Sequence, residues 1–401
     1  MSKGRVRVGL IGAGFAGRTH ARSISRATDL GVELVAVAAA HLPRAEELAR
    51  QYGIPAAYDD YRRIVERDDV DIIDLCVPNH LHESIALETI RAGKHVICEK
   101  PLTGYFGGPG ADEPVGATPK GVMLAEAVRS ADRMLAAAGE RGVQLMYAEN
   151  WLYAPVVQKT RRLVAAGRGT ILEIRAQEGH SGSHAAYAKS WRSAGGGALL
   201  RLGAHPLGCA LYLKWQEGVQ RDGVPIRARA VTAEVGDLTR IPSVQREAEK
   251  WLVADWEDVE NWATALVTFD DGSRATIFAA DTVLGGMQDS LDVFTSNGRV
   301  KCDLTHSTML QAYAPAPHIY ADEYLAEKLE TKAGWSHPSV EEEWLLGYPQ
   351  EIRDFVEAVI HNRPPLGTAE LGREVVKVTY AAYVAAEEGR RVALDAESSL
   401  A

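Results

Sequence analysis

The sequence predicts an α/β protein: a doubly wound parallel sheet, followed by a second α+β domain with a large, mostly antiparallel open sheet. The first part of this prediction rests on residues 1–100, in which strand-like and helix-like segments alternate. The second part rests on Asp-Asp-Gly at 270–272 and Ser-Asn-Gly at 296–298, which are typical of hairpin turns. A chain of 401 residues is long for one hydrophobic core, so we place two domains at residues 1–150 and 151–401.

Apolar periodicity and turn residues define the elements of both domains. The first domain is predicted to contain strands at 5–11, 33–38, 71–77, 95–98 and 143–148 and helices at 16–25, 43–51, 83–92 and 124–141. The second is predicted to contain strands at 170–178, 228–235, 260–269, 273–280, 289–295 and 299–302 and helices at 155–166, 351–361, 369–389 and from the glycine-rich bend 195–197 to about 214. A glycine- and proline-rich segment at 103–121 interrupts the alternation, and its length favours a functional loop that covers or borders a site.

Composition and charge restrict the class of partner. The formal net charge is -10, and the chain has no long lysine or arginine run, so neither nucleic acid nor an anionic membrane is expected as the main partner. No apolar run reaches the roughly 20 residues that a membrane span needs. The four cysteines are scattered without CxxC spacing, which predicts free thiols and no structural zinc. The N-terminus has no signal-peptide pattern, so we expect a cytoplasmic protein.

A Gly-x-Gly-x-x-Gly turn joins the first predicted strand to the first predicted helix. Gly12 allows the tight turn, Gly14 lets the backbone approach a pyrophosphate, and Gly17 lets the helix pack against the strand. The free N–H groups of the first helical turn, around Phe15 and Ala16, favour phosphate groups. The order of strand, glycines and helix therefore predicts a dinucleotide-binding site.

The end of the second strand does not decide between NAD and NADP. A carboxylate about 20 residues after the glycines normally binds the ribose 2′-hydroxyl of NAD, but residues 37–44 contain none. His41 and Arg44 are candidates for contacting this end of the cofactor, and they fit an ordinary solvated helix start equally well. We therefore predict NAD or NADP as the cofactor and leave the preference open.

Two further polar clusters follow predicted strands. They are Pro78-Asn79-His80-Leu81-His82 and Glu99-Lys100-Pro101. Both fall at carboxyl ends of strands, where open α/β sheets bind their ligands. A lysine held between a buried strand and a proline can hydrogen-bond a substrate hydroxyl or relay its proton, so we assign a catalytic role to Lys100.

Taken together, these motifs resemble the glucose–fructose oxidoreductase, inositol dehydrogenase and rhizopine catabolism family (Gfo/Idh/MocA). Further matches, up to about residue 395, are Ala92-Gly93-Lys94-His95, Trp191-Arg192, Gly195-Gly196-Gly197 and Leu202-Gly203-Ala204-His205. The resemblance implies a Rossmann domain, a C-terminal domain with a large open sheet, and hydride transfer between nicotinamide and a secondary alcohol of a sugar, glycoside or cyclitol. It also implies homodimers or homotetramers built through that sheet.

The resemblance assigns roles to matching positions. Lys100 corresponds to the catalytic lysine of the family and His205 to its active-site histidine. The residues that it assigns to the cofactor, besides the glycine turn, are Pro78, Asn79, His82, Glu99, Lys100 and Pro101.

One departure from the family pattern concerns the helix that carries His205. The family commonly has Asp-x-Gly-x-His-x-x-Asp there, whereas Arg201 replaces the first aspartate and Gly208 the last. Arg201 and His205 share a helical face at i, i+4. An arginine at that position can bind a carboxylate or polarise a hydroxyl, and it departs from the family pattern on which the acid/base role of His205 rests.

A polar segment after the predicted strand 170–178 is the candidate substrate site. The residues predicted to contact substrate are Asn150, Tyr153, His180, His184, Trp191, Arg192 and Arg201, with Ser181 and Ser183 as further hydroxyl donors. A second interpretation is a metal site made by His180, His184 and His205 with Glu149 or Glu178, and a third is a loop that is merely polar. HxxxH on a Gly/Ser-rich loop lacks the rigid helix of known zinc motifs, so we assign no metal. Trp151, Trp191 and Trp335 are of the type that stacks on sugars, although core packing is the commoner fate of tryptophan.

The sequence therefore predicts an NAD(P)-dependent oxidoreductase that acts on a CH–OH group of a small sugar, glycoside or polyol. One alternative is a redox-neutral enzyme with tightly bound NAD that cleaves or epimerises glycosides, as some relatives do. Another is a non-catalytic dinucleotide-binding regulator, against which the retained Lys100 and His205 argue.

Overall fold

The computed structural model describes residues 5–108, 110, 114–305 and 310–394. They form two compact units: the first comprises residues up to 104, 126–153 and 347–376, and the second comprises 105–125, 154–346 and the residues from 377 onward. The assignment of cofactor and substrate roles to residues 1–150 and 151–401 stays a prediction. Within the predicted loop 103–121, residues 109 and 111–113 lie outside the described residues.

Strands and helices alternate along the first 150 residues. The elements are β1 Val6–Ile11, α1 Phe15–Arg26, β2 Val32–Ala38, α2 Leu42–Tyr52, β3 Ala57–Tyr58, α3 Arg62–Val65, β4 Ile72–Leu75, α4 His82–Arg91, β5 His95–Glu99, α5 Lys120–Arg141 and β6 Leu145–Ala148. The remaining elements are α6 Pro155–Gly167, β7 Ile171–Gly179, α7 Trp191–Ala194, α8 Ala198–Arg201, α9 Ala204–Asp222, β8 Ala228–Gly236, α10 Pro242–Gln245, β9 Trp262–Phe269, β10 Arg274–Ala280, β11 Gln288–Thr295, β12 Gly298–Asp303, β13 Ala312–Ala314, β14 Gly334–Ser336, α11 Glu342–Leu345, α12 Tyr348–His361, α13 Ala369–Glu388 and β15 Val392–Ala393.

The first unit is organised around a six-stranded parallel sheet of order β3-β2-β1-β4-β5-β6. The predicted doubly wound parallel sheet is therefore confirmed. Ile11 pairs with Leu75, and Leu75 pairs with Cys98, so the carboxyl ends of the three central strands are level. The strand order reverses direction between β1 and β4, which is the edge where such sheets bind ligands.

The second unit contains a seven-stranded sheet of order β12-β11-β7-β10-β9-β8-β15. Its neighbours pair antiparallel except β7 and β10, which are parallel. This confirms the predicted, mostly antiparallel sheet. In the parallel pair, Glu178 lies beside Ala279 and Gly179 beside Ala280, so the residues that follow these two strands meet at one end of the sheet.

The helix predicted from the glycine-rich bend to about residue 214 is two helices. The chain breaks between α8 and α9 at Leu202 and Gly203, and α9 continues to Asp222. Pro206 explains the break, because a proline lacks the N–H that a continuous helix needs and is tolerated in a first turn. A side chain at Gly203 would also approach the Leu199 carbonyl oxygen to 2.4 Å.

Each unit contains a cluster of buried apolar side chains. In the first unit, Leu10, Ala21, Val37 and Leu48 pack together between the sheet and its helices. Among the described helices, none combines the length and the apolar character needed to span a membrane.

Candidate active site

The glycine turn has the local geometry that a dinucleotide needs. A Cβ on Gly12 would lie 2.0 Å from the Cys76 carbonyl oxygen, and one on Gly17 would lie 2.1 Å from the Gly12 carbonyl oxygen. A Cβ on Gly14, by contrast, would have no neighbour within 4 Å. Gly12 and Gly17 are therefore required by close packing. Gly14 is exposed and faces open space at the N-terminus of α1.

The first turn of α1 suits the pyrophosphate of a dinucleotide. It contains no acidic residue, and the N-cap Gly14 has no side chain to satisfy the free N–H groups. Phe15 is 64% exposed beside it. Unpaired N–H groups and the positive end of the helix dipole favour a phosphate at this position. Open space at Gly14 and this uncapped helix end together fit the predicted cofactor.

The residues after β2 lie at the surface. His41 is the N-cap of α2, and both His41 and Arg44 are exposed. Neither side chain is a carboxylate, so neither of these two residues would repel a 2′-phosphate. The preference for NAD or NADP stays open at these two residues.

His82 connects the loops that follow β4 and β5. Its Nδ1 lies 2.9 Å from the Pro101 carbonyl oxygen, and its Nε2 lies 3.0 Å from the Val77 carbonyl oxygen. Both partners are carbonyl oxygens, so each ring nitrogen that carries a proton donates a hydrogen bond to its partner, while burial lowers the pKa of His82. Asn79 is buried and Pro78 half-buried in the loop after β4. His82 thus braces this edge of the sheet, and the cofactor contacts of these residues stay predictions.

Lys100 is half-buried directly after β5. Its backbone N–H donates to Glu99 Oε2 over 3.0 Å, and Glu99 Oε1 lies 3.0 Å from His20 Nε2. The other ring nitrogen of His20, Nδ1, lies 2.9 Å from Asp74 Oδ2. Lys100 is therefore attached to a buried polar chain and does not extend from a solvated helix.

The second unit places His205 near a buried carboxylate. His205 lies in the first turn of α9, and Glu178 lies near the end of β7. Their closest atoms, Nε2 and Oε2, are 3.9 Å apart, and both side chains are buried. His180, two residues after Glu178, is buried as well, and its Nδ1 accepts a hydrogen bond from the Gly182 N–H over 2.9 Å.

Arg201 forms an ion pair with Asp281, the residue after β10. The other carboxylate oxygen of Asp281 lies 3.5 Å from His180 Nδ1. The structure thus brings Arg201 and His180 to one carboxylate, while His205 lies beside a second one, Glu178.

The other predicted substrate residues divide into exposed and buried side chains. His184 and Arg192 are exposed, whereas Asn150 is buried. Trp191 is 3% exposed and packs against the Tyr383 ring at 5.0 Å between centroids.

The Tyr153 hydroxyl makes two hydrogen bonds within the first unit. Its hydroxyl donates to Asp354 Oδ2 over 2.9 Å and accepts from the Gly367 N–H over 2.8 Å. Trp151 is also buried, whereas Trp335 is 74% exposed and contacts the Tyr313 ring in a tilted arrangement, with 5.4 Å between the ring centroids. These positions favour packing for Tyr153 and Trp151.

The structure brings together a set of side chains of the type that ligates metals. Among the described residues, the group of three or more such side chains whose ligand atoms all lie within 4.8 Å of one another is His20, Asp74 and Cys76. That group contains none of the residues considered for a metal from the sequence.

The sequence analysis did not single out four buried polar residues: His20 and Asp74 in the first unit, and Glu260 and Asp281 in the second. Asp74 was visible as an acid in an otherwise apolar strand, and His20 as a histidine three positions after Gly17. Asp281 and Glu260 gave no comparable signal. Glu260 accepts hydrogen bonds from the N–H groups of Gly197 and Leu199 and so holds the bend that begins α8.

Comparison with known proteins identifies the family. Residues 6–106 match the model described as oxidoreductase family, NAD-binding Rossmann fold, and residues 157–301 match the GFO/IDH/MocA C-terminal domain. The chain is 30% identical over 221 residues to levoglucosan dehydrogenase of Pseudarthrobacter phenanthrenivorans, which covers 51% of this chain and 50% of that protein. It is 32% identical over 217 residues to trans-1,2-dihydrobenzene-1,2-diol dehydrogenase of Mus musculus, covering 54% and 57%. The match therefore spans about half the length of these curated relatives.

A solved structure matches along nearly the whole chain. It is GenD2 from gentamicin A biosynthesis in complex with NAD, which superposes with a TM-score of 0.78 at 28% identity and covers 99% of this chain and 98% of that one. Both halves of the chain thus match one family in sequence, and the fold matches a structure determined with NAD. The protein belongs to the Gfo/Idh/MocA family of NAD-binding oxidoreductases.

Proposed function

We propose that the protein is an NAD(P)-dependent dehydrogenase that oxidises a secondary alcohol of a sugar, glycoside or cyclitol to a ketone. The observation that carries this proposal is the position of Lys100, fixed through its backbone at the sheet edge that the glycine turn also occupies. A cationic donor held there suits the oxygen of a substrate hydroxyl. The similarity to dehydrogenases of levoglucosan and of a cyclic diol supports a ring-bearing alcohol as substrate.

The proposed mechanism divides the work between a few groups. Gly14 and the first turn of α1 bind the pyrophosphate, and the nicotinamide supplies the hydride acceptor when it is bound. Lys100 donates a hydrogen bond to the substrate hydroxyl oxygen and stabilises the developing alkoxide. We assign His205 to accept the hydroxyl proton. The bonding pair of the O–H bond forms the carbonyl bond, while the hydrogen on the carbon departs with its own bonding pair as hydride.

The side chains that we propose for substrate binding are a reduced set of those predicted from the sequence. Asn150, His180 and His184 supply donors and acceptors suited to several hydroxyl groups. Tyr153 and Trp191 are less suited, because the Tyr153 hydroxyl already has two partners and Trp191 is 3% exposed. We also propose that the chain forms a homodimer or homotetramer through its larger mixed sheet, which sedimentation of the purified protein tests.

A panel assay tests the proposed activity. Sugars, glycosides and inositols are supplied with NAD and with NADP, and the absorbance of the reduced cofactor is followed. We expect turnover that Lys100→Ala abolishes and that Lys159→Ala, a matched change of an exposed lysine on α6, leaves intact.

Two results would contradict the proposal. No turnover and no dinucleotide binding across the panel would refute it. Cleavage of a glycoside without added cofactor, by protein that already carries NAD, would replace it with the redox-neutral alternative.

A further inference from the structure

A buried chain of three side chains connects α1 to the backbone of Lys100. His20 on α1 is 0% exposed and lies between Asp74 of β4 and Glu99 of β5. Its Nδ1 is 2.9 Å from Asp74 Oδ2, and its Nε2 is 3.0 Å from Glu99 Oε1. Glu99 Oε2 then accepts the Lys100 N–H over 3.0 Å.

The geometry determines the charge of His20. Carboxylate oxygens only accept hydrogen bonds, so each ring nitrogen must carry a proton to make both contacts. Burial by itself lowers the pKa of His20, but the neighbouring Asp74 and Cys76 more than offset this effect, and the pKa lies well above its ordinary value. His20 is therefore an imidazolium between two carboxylates.

The imidazolium form limits what His20 does in this cluster. A ring with both nitrogens protonated has no free lone pair, so in this state it neither ligates a metal ion nor acts as a general base. Its two N–H groups hold the carboxylates of Asp74 and Glu99 in place.

The position of Glu99 makes this task relevant to chemistry. Glu99 Oε1 accepts a hydrogen bond from His20 Nε2, and Glu99 Oε2 accepts one from the backbone N–H of Lys100. Charge-assisted hydrogen bonds of this kind are short and directional. Movement of His20 would release Glu99, and the Lys100 backbone would lose a fixed partner.

We propose that His20 is a positioning residue for Lys100, acting through Glu99 and supported from behind by Asp74. The inference rests on the proposed function, in which Lys100 contacts the substrate hydroxyl. His20 lies on α1, the helix whose N-terminus we propose to bind the cofactor phosphates. The proposal gives the same helix a second role, in the rate of the reaction at Lys100. A displacement of about 1 Å at a reacting group can cost about a hundredfold in rate.

His20→Gln and Asp74→Asn test the proposal, with His361→Gln, an exposed histidine at the end of α12, as the matched control. Asp74→Asn keeps the shape of the side chain and removes one charge, so it serves if His20→Gln does not fold. Three quantities are measured: kcat and KM on the best substrate, the Kd of the dinucleotide from protein fluorescence, and amide exchange of the cofactor-free protein in peptides covering 96–104.

We expect kcat to fall between about tenfold and a hundredfold in both variants, with the dinucleotide Kd and the substrate KM unchanged. Amide exchange at 96–104 should accelerate in both variants and not in the control. The proposal would be overturned if the folded variants kept the kcat and the amide-exchange rates of the wild type. It would also be overturned if dinucleotide binding weakened in parallel with kcat, because that result indicates a general loss of the cofactor site.

The exchange measurement separates this proposal from the proposed function. If the wild-type protein turns over no member of the panel, the dehydrogenase assignment fails. Faster exchange at 96–104 in His20→Gln would then still support the positioning of the Lys100 backbone by His20, and unchanged exchange would overturn it.

Discussion

The Arg201 guanidinium at the end of α8 forms a buried ion pair with the Asp281 carboxylate, one residue beyond β10. Arg201 is 8% exposed and Asp281 is 0% exposed. The Trp256 ring covers the guanidinium at 5.2 Å from its centroid. The family commonly has an aspartate at position 201. This chain has an arginine there, and Asp281 of the same unit neutralises its charge.

Removing one member of this pair should destabilise the fold. Asp281→Asn leaves the Arg201 charge buried without its counter-ion, and such changes cost about 3–5 kcal/mol. The free energy of unfolding, measured in urea, should fall by that order. Asp255→Asn is the matched control, because its partner Lys189 makes an ion pair at the surface and Asp255 is 70% exposed.

The double variant Arg201→Met with Asp281→Leu extends this test. Replacing both charges by apolar groups of similar volume avoids the uncompensated charge, so most of the lost stability should return. Equal losses in Asp281→Asn and Asp255→Asn would contradict the importance of burial for this pair.

The same ion pair predicts the charge of the preferred substrate. Arg201 is neutralised by Asp281, and the buried Glu178 carboxylate lies 3.9 Å from His205. A substrate carboxylate near His205 would meet like charge, and each 1.4 kcal/mol of repulsion is worth about tenfold. We expect kcat/KM for a neutral sugar to exceed that for the matching sugar acid by about tenfold or more.

Assays of hexose and uronate pairs at constant ionic strength measure this ratio. A ratio in favour of the acid would mean that Arg201 leaves Asp281 to bind substrate. Arg201→Met should then reverse the preference.

The glycine turn and Lys100 could be predicted from sequence because each depends on a short segment. The packing demand at Gly12 and Gly17 comes from backbone atoms of the same turn and of the neighbouring strand. The position of Lys100 follows from the end of an apolar strand that the sequence also marks. Local rules of this kind fix the parallel sheet as well.

The polar partners of these groups could not be predicted in the same way. His20 is 54 residues from Asp74 and 79 from Glu99, and Arg201 is 80 residues from Asp281. Such contacts exist only after the strands are ordered within a sheet. The sequence suggested a role for Arg201 toward substrate because its internal counter-ion, Asp281, becomes recognisable only when α8 packs against β10.

Gly14→Ala and Gly17→Ala should separate cofactor binding from folding. Gly14 has no neighbour within 4 Å of an added Cβ, so Gly14→Ala should keep the wild-type stability and weaken dinucleotide binding, because the methyl group occupies the space for the pyrophosphate. Gly17→Ala should lower stability, since its Cβ meets the Gly12 carbonyl oxygen at 2.1 Å.

Thermal unfolding and titration of dinucleotide fluorescence measure the two effects. Gly139→Ala in the exposed part of α5 is the control, because it also has no neighbour within 4 Å and should leave dinucleotide binding unchanged. A Gly14→Ala variant that binds dinucleotide as the wild type does would place the pyrophosphate elsewhere.

Glu351 predicts a pH dependence of stability. Its side chain is fully buried, neither carboxylate oxygen has a hydrogen-bond partner among the described residues, and burial raises its pKa well above the ordinary value. Glu99, Glu149 and Asp74 raise it further, and His20 opposes them. The unfolded chain releases the Glu351 proton above about pH 4.3, whereas the folded protein keeps it up to the raised pKa.

Stability should consequently fall as the pH rises from about 4.3 toward the raised pKa of Glu351, by at most about 1.4 kcal/mol per pH unit from this group. Glu351→Gln removes the titration, so its free energy of unfolding relative to the wild type should increase over that interval and level off below it. Urea unfolding at a series of pH values measures the difference, with Glu140→Gln, an exposed position on α5, as the control. A difference between Glu351→Gln and wild type that stays constant from acid to neutral pH would show that Glu351 ionises in the folded protein as it does in the unfolded chain.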